Sequence, residues 1–331
     1  MERQSIFTLE ASKWRFVGKL MNTNSSRLIR IKNWLSVFKP SEKYVLILPY
    51  IWCVLFLLIP FLILLKISLS DYIFGTPPFS PVFEWVDQKY LRIQLFFSNY
   101  EFFFKDSLYI RVYIESILMA LFSTCIATII SYPFAYAIHK SSPAIKTLLI
   151  LLIILPFYTS FLLRVYAWVG LLSAQGGVNA LLMWVGIIDE PLKLLYTKFA
   201  VIIGIVYCYL PFMIIPLYVS LDKMDRECLE AAYDLGCHPL KAFFTITVPL
   251  TKNGLFAGFI LMFIPAIGEF VIPEILGGAN TLMIGRIVWN EFFNNRDWPF
   301  AASIAILMFF FVVIPLNYLQ KPSSKKDTND E

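Results

Sequence analysis

The chain has 331 residues, of which 58% are hydrophobic and only 15% are charged, with a net charge of +5. A soluble globular domain is about 45–50% apolar and about 25% charged, so this composition excludes an ordinary soluble protein and indicates an integral membrane protein. The five cysteines form no CxxC pair, and we therefore expect neither a disulfide framework nor a metal site. Nothing in the sequence predicts binding to nucleic acid.

Long apolar runs determine the expected architecture. A helix needs about 20 apolar residues to cross the hydrocarbon core of a bilayer, and backbone groups in lipid must bond within their own segment, which excludes open strands. Six runs reach this length, two of them with charges toward one end: Tyr44–Leu65, Ser116–Ile138, Thr147–Gly170, Phe199–Leu221, Asn253–Ile275 and Trp298–Gln320. We therefore predict an all-α membrane protein with six transmembrane helices in contact with lipid.

No cleavable signal peptide is predicted, because the first run is longer than the apolar region of such a peptide and no small-residue cleavage site follows it. The chain then divides into tails, loops and spans. The expected order is a basic tail over 1–43, a first transmembrane helix over 44–66, an external loop over 67–110, a core domain over 111–319 and a second tail over 320–331.

The distribution of basic residues predicts the orientation in the membrane. Residues 1–43 hold nine Lys or Arg and three acids, whereas the loop over 67–110 holds three Lys or Arg and five acids. Cytoplasmic segments carry the excess of Lys and Arg, so we expect a cytoplasmic N-terminus. Six spans then place the C-terminus in the cytoplasm as well, together with the loop over 221–252.

This loop is expected to contain two helices separated by a glycine turn. A short helix is predicted over Leu221–Leu235, with Asp222 or Asp225 accepting hydrogen bonds from its free amides. Gly236 is placed where a left-handed residue ends such a helix. A second helix is expected to begin at Pro239, because proline is favoured at the first helical position.

Residues 230–249 of the loop read EAAYDLGCHPLKAFFTITVP. This pattern resembles the cytoplasmic EAA loop of ABC-importer permeases, which docks onto a separate ATPase. The matching residues are Glu230, Ala231, Ala232, Gly236, Ile246 and Pro249, and Val248 stands where leucine is usual. The resemblance implies that these residues and Pro239 couple the chain to the ATPase. Ala231 and Ala232 would present a small-residue surface, and Glu230 would offer a carboxylate to a basic or amide partner.

Ordinary capping is the alternative interpretation of the loop, and it explains Gly236 and Pro239 but not the whole spaced set. The chain contains no GxxxxGK[ST] motif, so it has no phosphate-binding loop of its own and any ATP hydrolysis is expected from a partner. His139 and His238 both fall in predicted cytoplasmic loops. No nucleophile–base set is visible, and we therefore predict no enzyme activity, no catalytic residues and no cofactor.

The similarity extends from Leu155 to about Pro315. The stretches LPFYTSFLLRVYAWVGLL, FIPAIGEFVIPEILGG, TLMIGRIVWNEFFNNRDWP and the EAA loop look like the permease subunits of bacterial polyamine importers, the last two stretches most like the putrescine type. The resemblance implies the type I ABC importer (MetI-like) permease fold in the bacterial inner membrane, with both termini cytoplasmic. It also implies a second related permease, two ATP-binding subunits, a periplasmic polyamine-binding protein, and a polyamine, putrescine in particular, as substrate.

Acids within the fifth run are candidates for a substrate pathway, because ionisable groups inside a membrane are costly and usually functional. Glu269 lies 17 residues beyond Lys252, or roughly 25 Å along a helix, and Glu274 follows. A polyamine needs carboxylates for its ammonium ends and aromatic faces for its cations and methylenes. The aromatic candidates are Tyr158, Tyr166, Trp168 and Tyr207. The alternative is that the acids bond to neighbouring helices and the aromatic rings only pack.

A secondary transporter or channel driven by an ion gradient is the rival function. It would need no EAA loop, and charged residues would be expected in several spans, whereas here they concentrate in the fifth. Uptake that survives collapse of the proton gradient but fails when ATP is depleted separates the two functions.

Overall fold

The computed structural model describes residues 40–86, 90–225, 227–279 and 281–319. These residues are helical apart from loops and one antiparallel hairpin of β1 (Phe83–Val86) and β2 (Tyr90–Ile93), which confirms the all-α class. The helices are α1 Pro40–Cys53, α2 Ile59–Ser68, α3 Ser98–Lys105, α4 Ser107–Lys140, α5 Pro143–Ile154, α6 Phe161–Leu172, α7 Gly177–Trp184, α8 Lys198–Asp222, α9 Glu227–Asp234, α10 Pro239–Ala242, α11 Val248–Leu250, α12 Lys252–Ile267, α13 Ile284–Trp289 and α14 Trp298–Leu319.

The chain divides into two compact units, Met1–Ile63 and Leu64–Glu331. In the first unit α1 is followed by a π-helical turn at Val54–Leu58 and then by the first residues of α2. Pro60 explains this turn, because a proline ring clashes with the carbonyl four residues earlier and helices widen locally to avoid the clash. The predicted basic tail as far as residue 39, and the predicted tail over 320–331, lie outside the described residues.

The second unit opens with a segment of short elements before α4. In its hairpin, Phe83 pairs with Ile93 at one end. Side-chain hydrogen bonds connect α3 to the first residues of the segment. Asn99 Nδ2 donates to the carbonyl of Ser70 at 2.9 Å, and the hydroxyls of Ser68 and Tyr100 lie 2.7 Å apart. Burial raises the pKa of Tyr100 above its ordinary value, so the phenol stays protonated as a bonding group.

Helices α4, α8 and α12 form the centre of the second unit. Local signals start two of them: Asp106 Oδ1 accepts from the amide of Leu108 at the start of α4, and Thr197 Oγ1 accepts from the amide of Ala200 at the start of α8. Their contact faces are buried and largely apolar. Members of this core include Ala120, Ala127, Ile205, Met213, Met262 and Ala266.

Two glycines let α8 and α12 approach each other closely. A Cβ added at Gly254 would lie 2.3 Å from the Cβ of Ser220 and 2.7 Å from the carbonyl of Pro216, and one at Gly258 would lie 2.8 Å from the sulfur of Met213. The pair forms a GxxxG spacing, which in membranes allows backbones to pack where larger residues would hold them apart. Both positions therefore set the distance between the two helices.

The third predicted run, Thr147–Gly170, is not one helix. It is divided between α5 and α6 by a 3₁₀ turn at Leu155–Tyr158 and two residues, Thr159 and Ser160, whose ψ angles of 152° and 135° lie outside the helical range. Pro156 lacks an amide hydrogen, and the hydroxyl of Thr159 donates to the Pro156 carbonyl at 2.7 Å instead of continuing the helix. The hydropathy of this run therefore did not reveal the helix break.

The fifth predicted run, Asn253–Ile275, is also shorter as a helix than as a sequence pattern. Helix α12 ends at Ile267, and the chain then turns through Gly268 into a separate π-helical turn at Pro273–Gly277. Among the described residues four helical segments are long and apolar enough to cross a membrane, or five if the pair Pro239–Leu250 and Lys252–Ile267, bent by 68°, counts as one. Two apolar helices are shorter, so the six-span count stays a prediction.

Candidate functional site

The predicted coupling loop consists of α9, a glycine turn, α10 and α11, and its first helix differs from the prediction. The helix expected over Leu221–Leu235 is two elements, because α8 ends at Asp222 and α9 begins only at Glu227. Asp225 Oδ1 accepts from the amide of Glu227 at 3.1 Å and so starts α9. Asp222, the other predicted cap, instead lies 2.7 Å from Nζ of Lys146 on α5.

The glycine turn is as predicted. Gly236 has φ +76°, a conformation that costs little only without a Cβ. Its amide donates to the carbonyl of Tyr233 at 2.9 Å, and the amide of Cys237 donates to the carbonyl of Ala232 at 2.9 Å, which closes the end of α9. Pro239 then opens α10 as its first residue, after His238, whose Nδ1 accepts from the amide of Leu240 at 3.3 Å.

The second half of the loop returns to the bundle through a π-helical turn at Phe243–Thr247, followed by α11. Pro249 has no amide hydrogen for the carbonyl four residues earlier, which accounts for the widened turn. Pro249 itself is exposed, whereas Ile246 is half-buried. The two residues therefore belong to the segment that joins the loop to α12.

The exposed face of the loop is more apolar than the motif indicates. Glu230 and Ala231 are exposed, but Ala232 is buried, so only one of the two alanines offers the predicted small-residue surface. Three large apolar side chains stand out around the glycine turn, namely Leu235 (89% exposed), Leu240 and Phe244. These three residues were not predicted from the sequence, although one large apolar residue directly before Gly236 and two within eight residues after it were a signal.

Glu269, the first predicted pathway acid, is bonded within the chain. It is 7% exposed, and its Oε1 accepts from the amides of Phe270, Val271 and Ile272 at 3.1, 3.0 and 3.4 Å. Its Oε2 accepts from the hydroxyl of Tyr209 on α8. The carboxylate thus caps the turn that follows α12, and its bond to Tyr209 joins it to a neighbouring helix, as the alternative interpretation of these acids expects. Tyr209 was not identified from the sequence; it lies two residues beyond Tyr207, which was.

Glu274 lies in the next turn and is half-exposed, with Arg286 of α13 as its ion-pair partner. Arg286 is mostly buried and also donates through Nη1 to the carbonyl of Gly278 at 2.6 Å. Gly285 lets the start of α13 lie close to the turn after α12, because a Cβ at Gly285 would lie 2.2 Å from the carbonyl oxygen of Gly268. The carboxylate of Glu274 therefore has one side held by a cation and the other open.

The predicted aromatic candidates are only partly brought together. Trp168 and Tyr207 meet edge to face with ring centroids 5.5 Å apart, while Tyr158 and Tyr166 are exposed on the 3₁₀ turn and α6. A second aromatic series connects Arg164 to Tyr209: the guanidinium lies 5.2 Å from the ring of Phe157, which meets Phe212, which in turn contacts Tyr209. Sequence analysis did not identify Phe157 or Phe212.

Comparison with known proteins identifies the family. Residues 44–323 match the family described as binding-protein-dependent transport system inner membrane component. The chain is 41% identical over 222 residues to the spermidine/putrescine transport system permease protein PotB of Escherichia coli K12, covering 67% of this chain and 80% of that protein. It is 37% identical over 265 residues to PotB of Haemophilus influenzae, covering 80% and 88%.

Solved structures share the fold. A bacterial alginate ABC transporter in complex with an alginate pentasaccharide-bound periplasmic protein superposes with a TM-score of 0.62 at 16% identity, covering 86% of this chain and 94% of the matched chain. A second alginate transporter structure gives a TM-score of 0.61 at 15% identity. With the family match over most of its length and relatives above one-third identity, the chain belongs to the inner membrane components of binding-protein-dependent transport systems.

Proposed function

We propose that the chain is one permease subunit of an ATP-driven importer for polyamines, and that it assembles with a second permease, two ATP-binding subunits and a periplasmic binding protein. The observation that carries the coupling role is the loop around Gly236. Two short helices meet there at a left-handed glycine, with Leu235, Leu240 and Phe244 exposed. Exposed apolar side chains on an ordered loop favour a protein partner over water.

ATP binding and hydrolysis are assigned to the partner subunits. Closure of the two ATPases on ATP would move the loop, and the loop continues through α11 into α12 at the centre of the bundle. Movement of α12 against α8 then changes the cavity shared with the second permease from outward to inward facing. The coupling residues in this proposal are Glu230, Ala231, Ala232, Gly236, Pro239, Ile246 and Pro249.

The substrate class rests on the names of the relatives and on the chemistry of the turn after α12. Both PotB proteins are named for spermidine and putrescine. Half of the Glu274 side chain is exposed, and an exposed carboxylate can form a charge-assisted hydrogen bond with an ammonium group. We assign Glu274 the substrate contact, and Glu269 the task of fixing the turn that carries it. Putrescine as the preferred polyamine is the finer proposal, and competition of labelled putrescine uptake by spermidine decides it.

The proposed orientation places both termini in the cytoplasm and the hairpin segment in the periplasm. It is supported by the excess of basic residues in 1–43. Reporter fusions after Ser323 are expected to read cytoplasmic, and fusions near Trp85 periplasmic. The opposite pattern would remove the six-span topology.

Uptake by the purified complex in vesicles tests the function as a whole. Radiolabelled putrescine should enter vesicles only when ATP and the loaded binding protein are both present, and collapse of the proton gradient should leave uptake unchanged. Uptake that follows the proton gradient and ignores ATP would assign the chain to the gradient-driven transporters. Co-purification from native membranes, with identification of the bound subunits, checks the proposed partners.

A further inference from the structure

The coupling loop meets the bundle at a sharp bend. The helical segments Pro239–Leu250 and Lys252–Ile267 are inclined to each other by 68°, and the residue between them is Thr251. Thr251 has ψ of 5°, outside the helical range, and its side chain is fully buried. The chain connection between the loop and α12 therefore runs through this one residue.

A tyrosine on α4 is bonded to the bend. The hydroxyl of Tyr132 lies 2.5 Å from Oγ1 of Thr251, and both side chains are buried. Thr251 also donates to the carbonyl of Thr247 at 2.7 Å, so its hydroxyl joins the loop segment to α4. The ring of Tyr132 meets Phe243 edge to face with centroids 5.0 Å apart, which gives α4 a second contact with the same segment.

The other end of the loop is held by the same helix. Asp222, the last residue of α8 before the loop, lies 3.6 Å from Nδ1 of buried His139 and 2.7 Å from Nζ of Lys146. His139 follows Tyr132 by seven residues, or two helical turns, so both lie on one face of α4. This face thus contacts the point where the chain leaves the bundle and the point where it returns.

We propose that Tyr132 is a positioning residue for coupling, which binds the bend at Thr251 to α4 so that displacement of the loop moves α4 and α12 together. The proposal rests on the proposed function, since it assigns a role within an ATP-driven importer. Without the Tyr132–Thr251 bond the bend at Thr251 can flex, and part of the loop movement is absorbed there instead of opening the cavity.

The test compares ATP hydrolysis with uptake in vesicles that hold the complete complex. Tyr132→Phe removes one hydroxyl and keeps the ring contact with Phe243, and Thr251 keeps its bond to Thr247. The amount of polyamine taken up per ATP hydrolysed is expected to fall about fivefold, because one hydrogen bond is lost. ATP hydrolysis and complex yield should stay unchanged. Thr251→Val removes the bond to Thr247 as well, so its uptake per ATP should fall at least as far. Thr251→Ser keeps the hydroxyl and should keep the wild-type ratio.

A matched control lies on the same helix. Tyr113 is a buried tyrosine whose hydroxyl has no hydrogen-bond partner among the described residues, so Tyr113→Phe should leave the ratio at the wild-type value. An unchanged ratio in Tyr132→Phe, a parallel fall of hydrolysis and uptake, or loss of the complex would each overturn the proposal. If the wild-type complex does not couple ATP to polyamine uptake at all, the proposed function fails instead, before any variant is compared.

Discussion

The coupling loop and the turn after α12 each contain a glutamate close to a glycine, yet the fold uses the two carboxylates in opposite ways. Glu230 of the loop is exposed and available to a partner. Glu269 is buried and its oxygens accept four hydrogen bonds from this chain. An acid in an apolar run is therefore not by itself a substrate ligand, because a turn among apolar segments must satisfy its own free amides.

The largest effect is expected from Gly236→Val, which places a β-branched residue at φ +76°. The strain costs about 1 kcal/mol or more, and it falls where the two exposed helices meet. The protein should remain in the membrane, but ATPase association should weaken and transport should be abolished.

Gly186→Val is the matched control, because Gly186 has φ +77°, open space around it and lies outside the loop. The same local strain there should leave transport near the wild-type rate. Normal uptake and normal ATPase binding in Gly236→Val would show that the loop is not the coupling element.

Glu274→Gln should reduce polyamine uptake about tenfold or more, because a hydrogen bond to a charged group contributes about 1.5–3 kcal/mol. Glutamine keeps the size of the side chain, and complex yield should therefore be unchanged. Radiolabelled uptake by the purified complex measures the effect. Wild-type uptake in this variant would leave Glu274 as a structural partner of Arg286 only.

Substitutions of the two alanines of the motif distinguish contact with the ATPase from packing within the chain. Ala231→Leu enlarges an exposed residue and should weaken ATPase association severalfold with little change in thermal stability. Ala232→Leu enlarges a buried one, and overpacking costs about 1–3 kcal/mol, so it should lower thermal stability. Co-purification of the ATPase and thermal unfolding in detergent distinguish the two outcomes. Equal behaviour of the two variants would contradict the assignment of faces.

The smallest effect is expected from Glu269→Gln, which should leave uptake within about twofold. The amide oxygen of glutamine can still accept from the free amides of the turn, and its nitrogen can donate to the hydroxyl of Tyr209. Glu269→Leu is the contrast: it leaves those amides unpaired at about 1–3 kcal/mol and should reduce protein yield. A tenfold loss of uptake in Glu269→Gln at normal yield would restore Glu269 as a substrate contact.

Several features could be predicted from the sequence because their causes are local. The apolar runs indicated an all-α membrane protein, since span length and backbone satisfaction in lipid depend only on neighbouring residues. Gly236 and Pro239 were placed correctly because positive φ and the first helical position have strong residue preferences. The EAA spacing pointed to the transport family in the same way.

Tertiary structure alone decided which residues those local elements meet. Hydropathy could not reveal the break at Thr159, because the residues on both sides are equally apolar. Nor could the sequence show how Glu269 and Glu274 are bonded, because the partner of Glu269 on α8, Tyr209, lies 60 positions away. Glu274 pairs with Arg286 and keeps half of its side chain exposed. The bond between Tyr132 and Thr251, 119 positions apart, has no local signal at all, because it exists only once α4 and the coupling segment are packed together.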